Sequence, residues 1–422
     1  MTPSVGYTEM KESGVHWMGR IPKHWGIQKA KFHFSQTNNR GNNTPILLAA
    51  SQKYGVCPQS WLEGVVQVSE NTDLQQFKTV HKNDFVISLR SFQGGFERSD
   101  FEGVCSPAYQ VFHADASFDN NFLKYLFKNE LFIDEMNSLT VGIREGRNIK
   151  YDDFANSLIF VPPLDEQSAI AAYLDTQCTK IDEIIAEAKA SIEDYKQWKE
   201  SIIYEAVTKG LDPNAEMKDS GIEWIGEIPK GWNIAKAGML FKEFIRPYCK
   251  GDKPLSLSQQ DGLVPTDEMK ESSLKTASYD NWKRVYLDDL VLNRFKAHLG
   301  VFFASRYVGC VSFHYGVYHA IRSDVVPKYY EYLFHSPHYK SLFAQLSNGI
   351  TVGLQNLSNR NFYSAYVHFP DYETQVEIVD FLEKKCSELE SLIVEKRLLI
   401  DDLEAYKKSL IYEVVTGKRR VC

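Results

Sequence analysis

From Leu164 to Thr208 the chain contains no Gly or Pro. Apolar residues recur there every three or four positions: Ile170, Leu174, Cys178, Ile181, Ile185, Ala188, Ile192, Tyr195 and Ile202. That spacing predicts an amphipathic helix with a coiled-coil stripe. Pro162-Pro163 precedes it, Asp165 and Glu166 suit the positive end of its dipole, and Gly210 offers a stop. A second stripe (Ile378, Leu382, Leu389, Ile393, Ile400, Leu403, Tyr406, Leu410) ends near Gly417. Each helix should run about 45 residues, or roughly 65 Å at 1.5 Å per residue. Neither stripe can be buried alone, so the two are expected to pair, antiparallel if a pseudo-two-fold relates the halves.

Between these stretches the period changes. "DFVISL" (Asp84–Leu89), "YQVFH" (Tyr109–His113) and "LIFV" (Leu158–Val161) read as strands. "NNFLKYLFKNELFIDEMN" (Asn120–Asn137) reads as one helical run. "DLVLN", "YHAIR" and "KYYEYLFHSPHYKSLFAQL" repeat the order later. Strands, helix, then strand argue for a sheet with packed helices.

The repetition is chain-wide. "MKESGVHWMGRIPKHW" (Met10–Trp25) returns as "MKDSGIEWIGEIPKGW" (Met217–Trp232), and "LLAASQKYGVCP" as "SLSQQDGLVP". "GVCSPAY" returns as "GCVSFHY", "TVGIREGRN" as "TVGLQNLSN", and "KESIIYEAVTKG" as "KKSLIYEVVTGK". The chain is therefore two copies of one unit of about two hundred residues, too long for a solenoid repeat. The expected fold class is α+β. Two mixed α/β domains, 1–161 and 211–369, alternate with two long antiparallel coiled-coil helices, 162–210 and 370–422, in an internal pseudo-two-fold repeat.

Charge sharpens the picture. The net charge of −7 argues against a nucleic-acid partner only if it is evenly spread. It is not: residues 161–210 carry 5 Lys and Arg against 10 Asp and Glu, whereas residues 233–368 carry 16 against 11. The acid is concentrated in the helices. The seven cysteines are scattered, with no CxxC pair, which fits a reducing cytoplasm and no zinc knuckle. No apolar run approaches membrane-spanning length, and the N-terminus lacks a signal-peptide layout.

The repeated "SGxxWxGxIPxxW" opening, the "GxxS..Y" segment, the "TVG" loop and "PPLDEQSAI" leading into a long helix ending "SIIYEAVTKG" form an ordered set. With it the chain resembles the DNA-specificity (S) subunit of Type I restriction–modification systems. The second copy departs from the set where "PPLDEQ" becomes "FPDYETQ", which puts the local turn in question. The resemblance implies two target-recognition domains, each reading half of a split double-stranded DNA site, held apart by the helices. It implies two methyltransferase subunits as partners, with room for ATP-dependent translocase and nuclease subunits. It implies no cofactor on this chain; S-adenosylmethionine would belong to the methyltransferase.

Phosphates are met by Lys and Arg, guanine by Arg, and adenine by Asn or Gln. Candidate DNA-facing residues therefore sit on loops: Gln52, Lys53 and Tyr54 with Gln259 and Gln260; Arg90 with Arg294 and Lys296; and Arg144, Arg147 and Lys150 with Gln355, Asn356 and Arg360. The tryptophans shared by both copies (Trp17, Trp25, Trp224, Trp232) are expected to pack, since a specificity device should not repeat its readers. A DNA-modifying or cutting enzyme is the first rival. No Gly-rich cofactor loop follows a strand, and Pro370-Asp371 with Glu383–Lys385 only mimics a nuclease pattern, because positions two apart on a helix diverge. The second rival is a coiled-coil protein-interaction scaffold without sequence-specific DNA binding.

Overall fold

The computed structural model describes residues 6–41, 46–51, 54–62, 74–88, 95–139, 149–259, 262–269, 279, 281–347 and 356–421. The chain forms two compact units, Met1–Lys189 with Arg397–Cys422, and Ala190–Lys396. Each unit contains one mixed α/β domain and a stretch of both long helices, which span Leu164–Lys209 and Tyr372–Val415.

In the first unit, one sheet orders the strands Gly55–Pro58, Leu47–Ser51, Gly103–Cys105 and Lys78–Val80. A second orders Phe34–Thr37, Gln110–Ala114, Phe85–Ile87 and Phe96–Arg98. The pairs are antiparallel except Gly103–Cys105 against Leu47–Ser51. A core of Phe34, Phe85, Phe96, Phe112, Phe127 and Phe154 fills the space beneath, largely by tilted and edge-to-face rings.

The second unit repeats the second sheet as Phe241–Glu243, Tyr315–Ala320, Leu290–Asn293 and Phe302–Ala304. Its first sheet is reduced to two pairs, Leu255–Ser258 with Gly262–Pro265 and Lys283–Val285 with Gly309–Val311. The parallel contact survives as a single bridge between Pro254 and Cys310.

The run expected as one helix over Asn120–Asn137 is two, Asn120–Leu126 and Glu130–Ser138. Asn129 breaks it by accepting from the Leu131 amide and capping the second helix. Pro337 does the same work in the other unit, where the helices are Pro327–His335 and Pro337–Leu346.

The helices pair antiparallel. In the first unit Lys407 binds Asp182 at 2.6 Å and Lys189 approaches Glu404 at 3.9 Å, so numbers rise on one helix as they fall on the other. In the second unit Lys199 binds Glu390, the same two repeat positions with the helices exchanged. The expected stripe is buried at Ile170, Leu174, Ile181, Ile185, Ile378, Leu382, Leu389 and Ile393, whereas Tyr406, expected within it, is 48% exposed.

Both helix starts are latched by a glutamine. Fully buried Gln167 accepts from the Asp119 amide at 2.8 Å and donates to the carbonyls of Ser117 (2.9 Å) and Pro162 (2.8 Å). Gln375 accepts from the Val326 amide at 2.9 Å and donates to Asp324 (3.0 Å) and Pro370 (2.9 Å). The altered "FPDYETQ" therefore keeps the residue that matters, and Asp371 caps its turn through the Thr374 amide.

The repeated opening is a clip: a hairpin of Met10–Glu12 with Arg20–Pro22, and of Met217–Asp219 with Glu227–Pro229. Ser13 and Ser220 each bridge the amide and carbonyl two residues on. The paired glycines have positive φ, +74° and +59° in one clip and +72° and +71° in the other. Trp17 and Trp25 pack on Phe160, and Trp224 on Tyr339, so the shared tryptophans are packing residues. Each clip receives the end of a long helix: Gly417 lies against Pro22 and Trp25, and Gly210 against Trp232.

Candidate nucleic-acid interface

Seven of the candidate residues, Gln52, Lys53, Arg90, Arg144, Arg147, Gln260 and Gln355, lie outside the described residues. The remaining seven fall into different environments.

In the second unit the strand Leu290–Asn293 runs into a short helical turn, Arg294–Leu299, opened by the Asn293 side chain accepting from the Phe295 amide. Arg294 donates to Glu243 at 2.7 Å and to the Asn359 amide oxygen at 2.9 Å, while its carbonyl accepts from the Leu357 amide at 3.0 Å. Glu243 also accepts from Lys283 (2.8 Å) and Asn359 (2.6 Å), and Tyr318 donates to Asn359 at 2.8 Å. Burial pushes the Glu243 carboxyl up, but the Lys283 and Asn359 hydrogen bonds and the Arg294 charge more than offset it, leaving it below the ordinary range. Arg294 is thus committed to a partly buried carboxylate network rather than standing as a free loop cation. The network joins two segments far apart in sequence and leaves Lys296, Asn356 and Arg360 exposed around it.

In the first unit Lys150 is exposed and precedes the short helix Tyr151–Asn156, the counterpart of Asn359–Ser364. The Tyr151 amide donates to Gln110 and its hydroxyl to the Phe34 carbonyl, which ties this helix to the second sheet.

Tyr54 and Gln259 lie elsewhere. Tyr54 borders a cavity of about 520 Å³ whose far wall is the helix pair at Asp175, Asp182 and Lys407. Gln259 borders its repeat, about 560 Å³, with Lys199, Glu383 and Glu390 opposite. Across these grooves Lys124 and Tyr125 bind Asp175 at 2.6 Å, and Arg306 binds Glu383 at 2.7 Å. Their evident use is to fix each domain against its helices.

Sequence reasoning passed over the buried lysines. Lys78 and Lys283 sit at matching strand positions, and each donates to the carbonyl of the repeated tyrosine, Tyr109 or Tyr315, at 2.7 Å. Their signal was the shared Lys-X-Val (Lys78–Val80, Lys283–Val285). In the first unit no carboxylate among the described residues bonds to this lysine; burial lowers the Lys78 pKa, Cys105 opposes this and Arg40 adds to it. Among the described residues no cluster of three or more His, Cys, Asp or Glu could hold a metal ion, and no helix is long and apolar enough to cross a membrane.

Residues 26–194 match the family model for the Type I restriction modification DNA specificity domain. The Type I restriction enzyme EcoKI specificity subunit of Escherichia coli (strain K12) is 24% identical over 307 residues, covering 67% of this chain and 61% of that protein. The chain thus matches less than two thirds of that relative's length. Among solved structures, a chain from a study of complex assembly and conformational transition of the type I R-M system superposes with a TM-score of 0.71 at 14% identity, covering 94% of this chain and 98% of that one. The HsdS subunit from Thermoanaerobacter tengcongensis superposes with a TM-score of 0.57 at 14% identity, covering 97% of this chain and all of that one. Residues 26–194 thus carry the match to the Type I specificity domain, and the chain shares its fold with a solved HsdS subunit.

Proposed function

We propose that this chain is a non-catalytic, sequence-reading DNA subunit, in which each α/β domain binds one part of a split double-stranded site. The observation that carries the reading is the contrast within the repeat. The clips, the glutamine latches and one helix ion pair recur at matching positions, while exposed candidates differ between copies, as Lys150 does from Ser358. A shared frame with divergent loops is what two different half-sites require. The antiparallel helices act as the spacer, and the gap between half-sites follows from their length.

Methyltransferase subunits assemble on this chain and bring S-adenosylmethionine. Matching helix positions support two like partners: Trp198 and Tyr406 are 54% and 48% exposed, and Ile184 and Leu392 are 45% and 38% exposed. Repeated exposed apolar side chains on otherwise acidic helices suit a repeated protein contact.

Spacer length is the test. The sequence alone suggests inserting four residues within Glu187–Lys199; because the helices pair antiparallel, the insertion belongs in both, near 193 and near 397. Each helix then lengthens by roughly 6 Å. The modified sequence, read by methylome sequencing, should keep its half-sites while the gap grows by about one or two base pairs. Altered half-sites with an unchanged gap would refute the mechanism. No sequence-selective modification by wild type with its methyltransferase would favour the scaffold reading.

A further inference from the structure

The turn between Gly309–Val311 and Tyr315–Ala320 is closed by the Tyr315 amide donating to the Ser312 carbonyl at 3.0 Å. Its tip carries Phe313, 53% exposed, and His314. The two rings lie 3.8 Å apart between centroids, and His314 in turn lies 5.7 Å from Phe295, itself 38% exposed. Phe295 belongs to the same short turn as Arg294 and Lys296. Three rings in a row, open to solvent, thus adjoin the Arg294–Asn359 network.

The segment that carries them is poor in acid. From Val291 to Ser323 the chain has no Asp or Glu; Arg294, Arg306 and Arg322 pair with Glu243, Glu383 and Asp324 from outside it, and Lys296, beside Phe295, is exposed. The corresponding stretch of the first unit, Val86 to Phe118, includes Glu97, Asp100, Glu102 and Asp115. The matching turn there closes in the same way, through the Tyr109 amide and Ser106 carbonyl, but its tip is Pro107-Ala108.

We infer that Phe313, His314 and Phe295 form a stacking ledge that takes the face of a nucleobase in the half-site bound by the second unit. Aromatic rings offer a base a flat apolar partner, and exposed Lys296 beside Phe295 can meet a flanking phosphate. A protein-docking surface for two like subunits should recur in both units, and this one does not. The inference rests on the DNA-reading function proposed above. It adds that the two half-sites are held by different means, with ring stacking in one unit only.

The test uses the full chain assembled with its methyltransferase and a duplex carrying the sequence found modified in cells that express both. Phe313→Ala and Phe295→Ala should each weaken binding roughly tenfold to a hundredfold with assembly unchanged, and Phe313→Ala, whose ring is half exposed, should also leave the melting temperature unchanged. The slope of affinity against salt should stay the same, whereas Lys296→Ala should reduce it by about one. A 2-aminopurine placed through the second half-site should be quenched at one position by wild type and not by Phe313→Ala. Ala108→Gly in the first unit should change nothing. Equal affinity of wild type and both alanine variants overturns the ledge while leaving the DNA-reading function standing. Loss of methyltransferase assembly in those variants shows a protein contact and overturns it too. Absence of sequence-selective binding by the wild-type complex removes the function beneath it, and the ledge with it.

Discussion

Replacing Gln167 with leucine isolates the device that seats the first long helix. The side chain is fully buried, and its amide serves three backbone groups: the Asp119 N–H and the carbonyls of Ser117 and Pro162. Leucine is close in volume and leaves all three groups in place without a partner. Each unsatisfied buried group costs about 1–3 kcal/mol. With some relief from entering water, the total is about 3–6 kcal/mol, a large part of the ~5–15 kcal/mol that holds a domain together. For a unit of some two hundred residues that corresponds to roughly 10–20 °C in melting temperature. Calorimetry or circular dichroism should show the first unit melting early, while Gln375→Leu should do the same to the second. Gln167→Glu adds a pH signature. Protonated, the carboxyl keeps one donor and one acceptor; ionised and buried, it keeps no donor. Burial raises its folded pKa above the ordinary value of about 4.3, so the folded state holds the proton longer and the deficit grows as pH rises through that window. A Gln167→Leu shift below about 2 °C, or a Gln167→Glu deficit independent of pH, would refute the latch.

Gly417→Ala places a Cβ about 2.4 Å from the Pro22 ring at a φ of +70°, so clash and left-handed strain add. The first unit should lose about 2 kcal/mol or more, read by urea titration; an unchanged midpoint would show that the clip does not grip the helix end. Trp198→Ala with Tyr406→Ala should leave melting unchanged and weaken methyltransferase assembly at least tenfold by sedimentation, whereas full assembly would remove the helices from the contact. Buried His368, bonded to Tyr339 at 3.0 Å, is held neutral by burial and then by the charge of His338, its pKa lowered to about 4. The unfolded chain takes up the proton first, so the second unit should lose about 3 kcal/mol as pH falls from about 6.5 to 4. His368→Phe should flatten that acid limb in denaturation midpoints, and an unaltered limb would count against the assignment.

Periodicity and repetition carried much of the fold in plain view. A 3.6-residue stripe over some 45 residues admits one structure, and two copies of it need each other, so the long helices could be read before any coordinates. The clip tryptophans were legible as packing residues because both copies keep them. Local sequence said less about breaks within a helical run: Asn129 became a cap only because Phe127 and Phe132 are both drawn into the same core. The role of Gln167 and Gln375 was hidden, since a glutamine's meaning depends on which carbonyls the fold brings to it.

The candidate interface divides along the same line. Residue type and loop position were enough to nominate Arg294, Asn356 and Arg360. Only tertiary structure, by folding Glu243 and Asn359 against Arg294, decided that this arginine is anchored while Lys296 and Arg360 stay exposed. It also turned Tyr54 and Gln259 toward grooves beside the helices, and lined up Phe295 with a turn tip near 313. Sequence alone determined the elements and their duplication, because spacing along one chain sets local structure. Which side chains stay free was decided by contacts between distant segments, and those follow from packing, which no local pattern encodes.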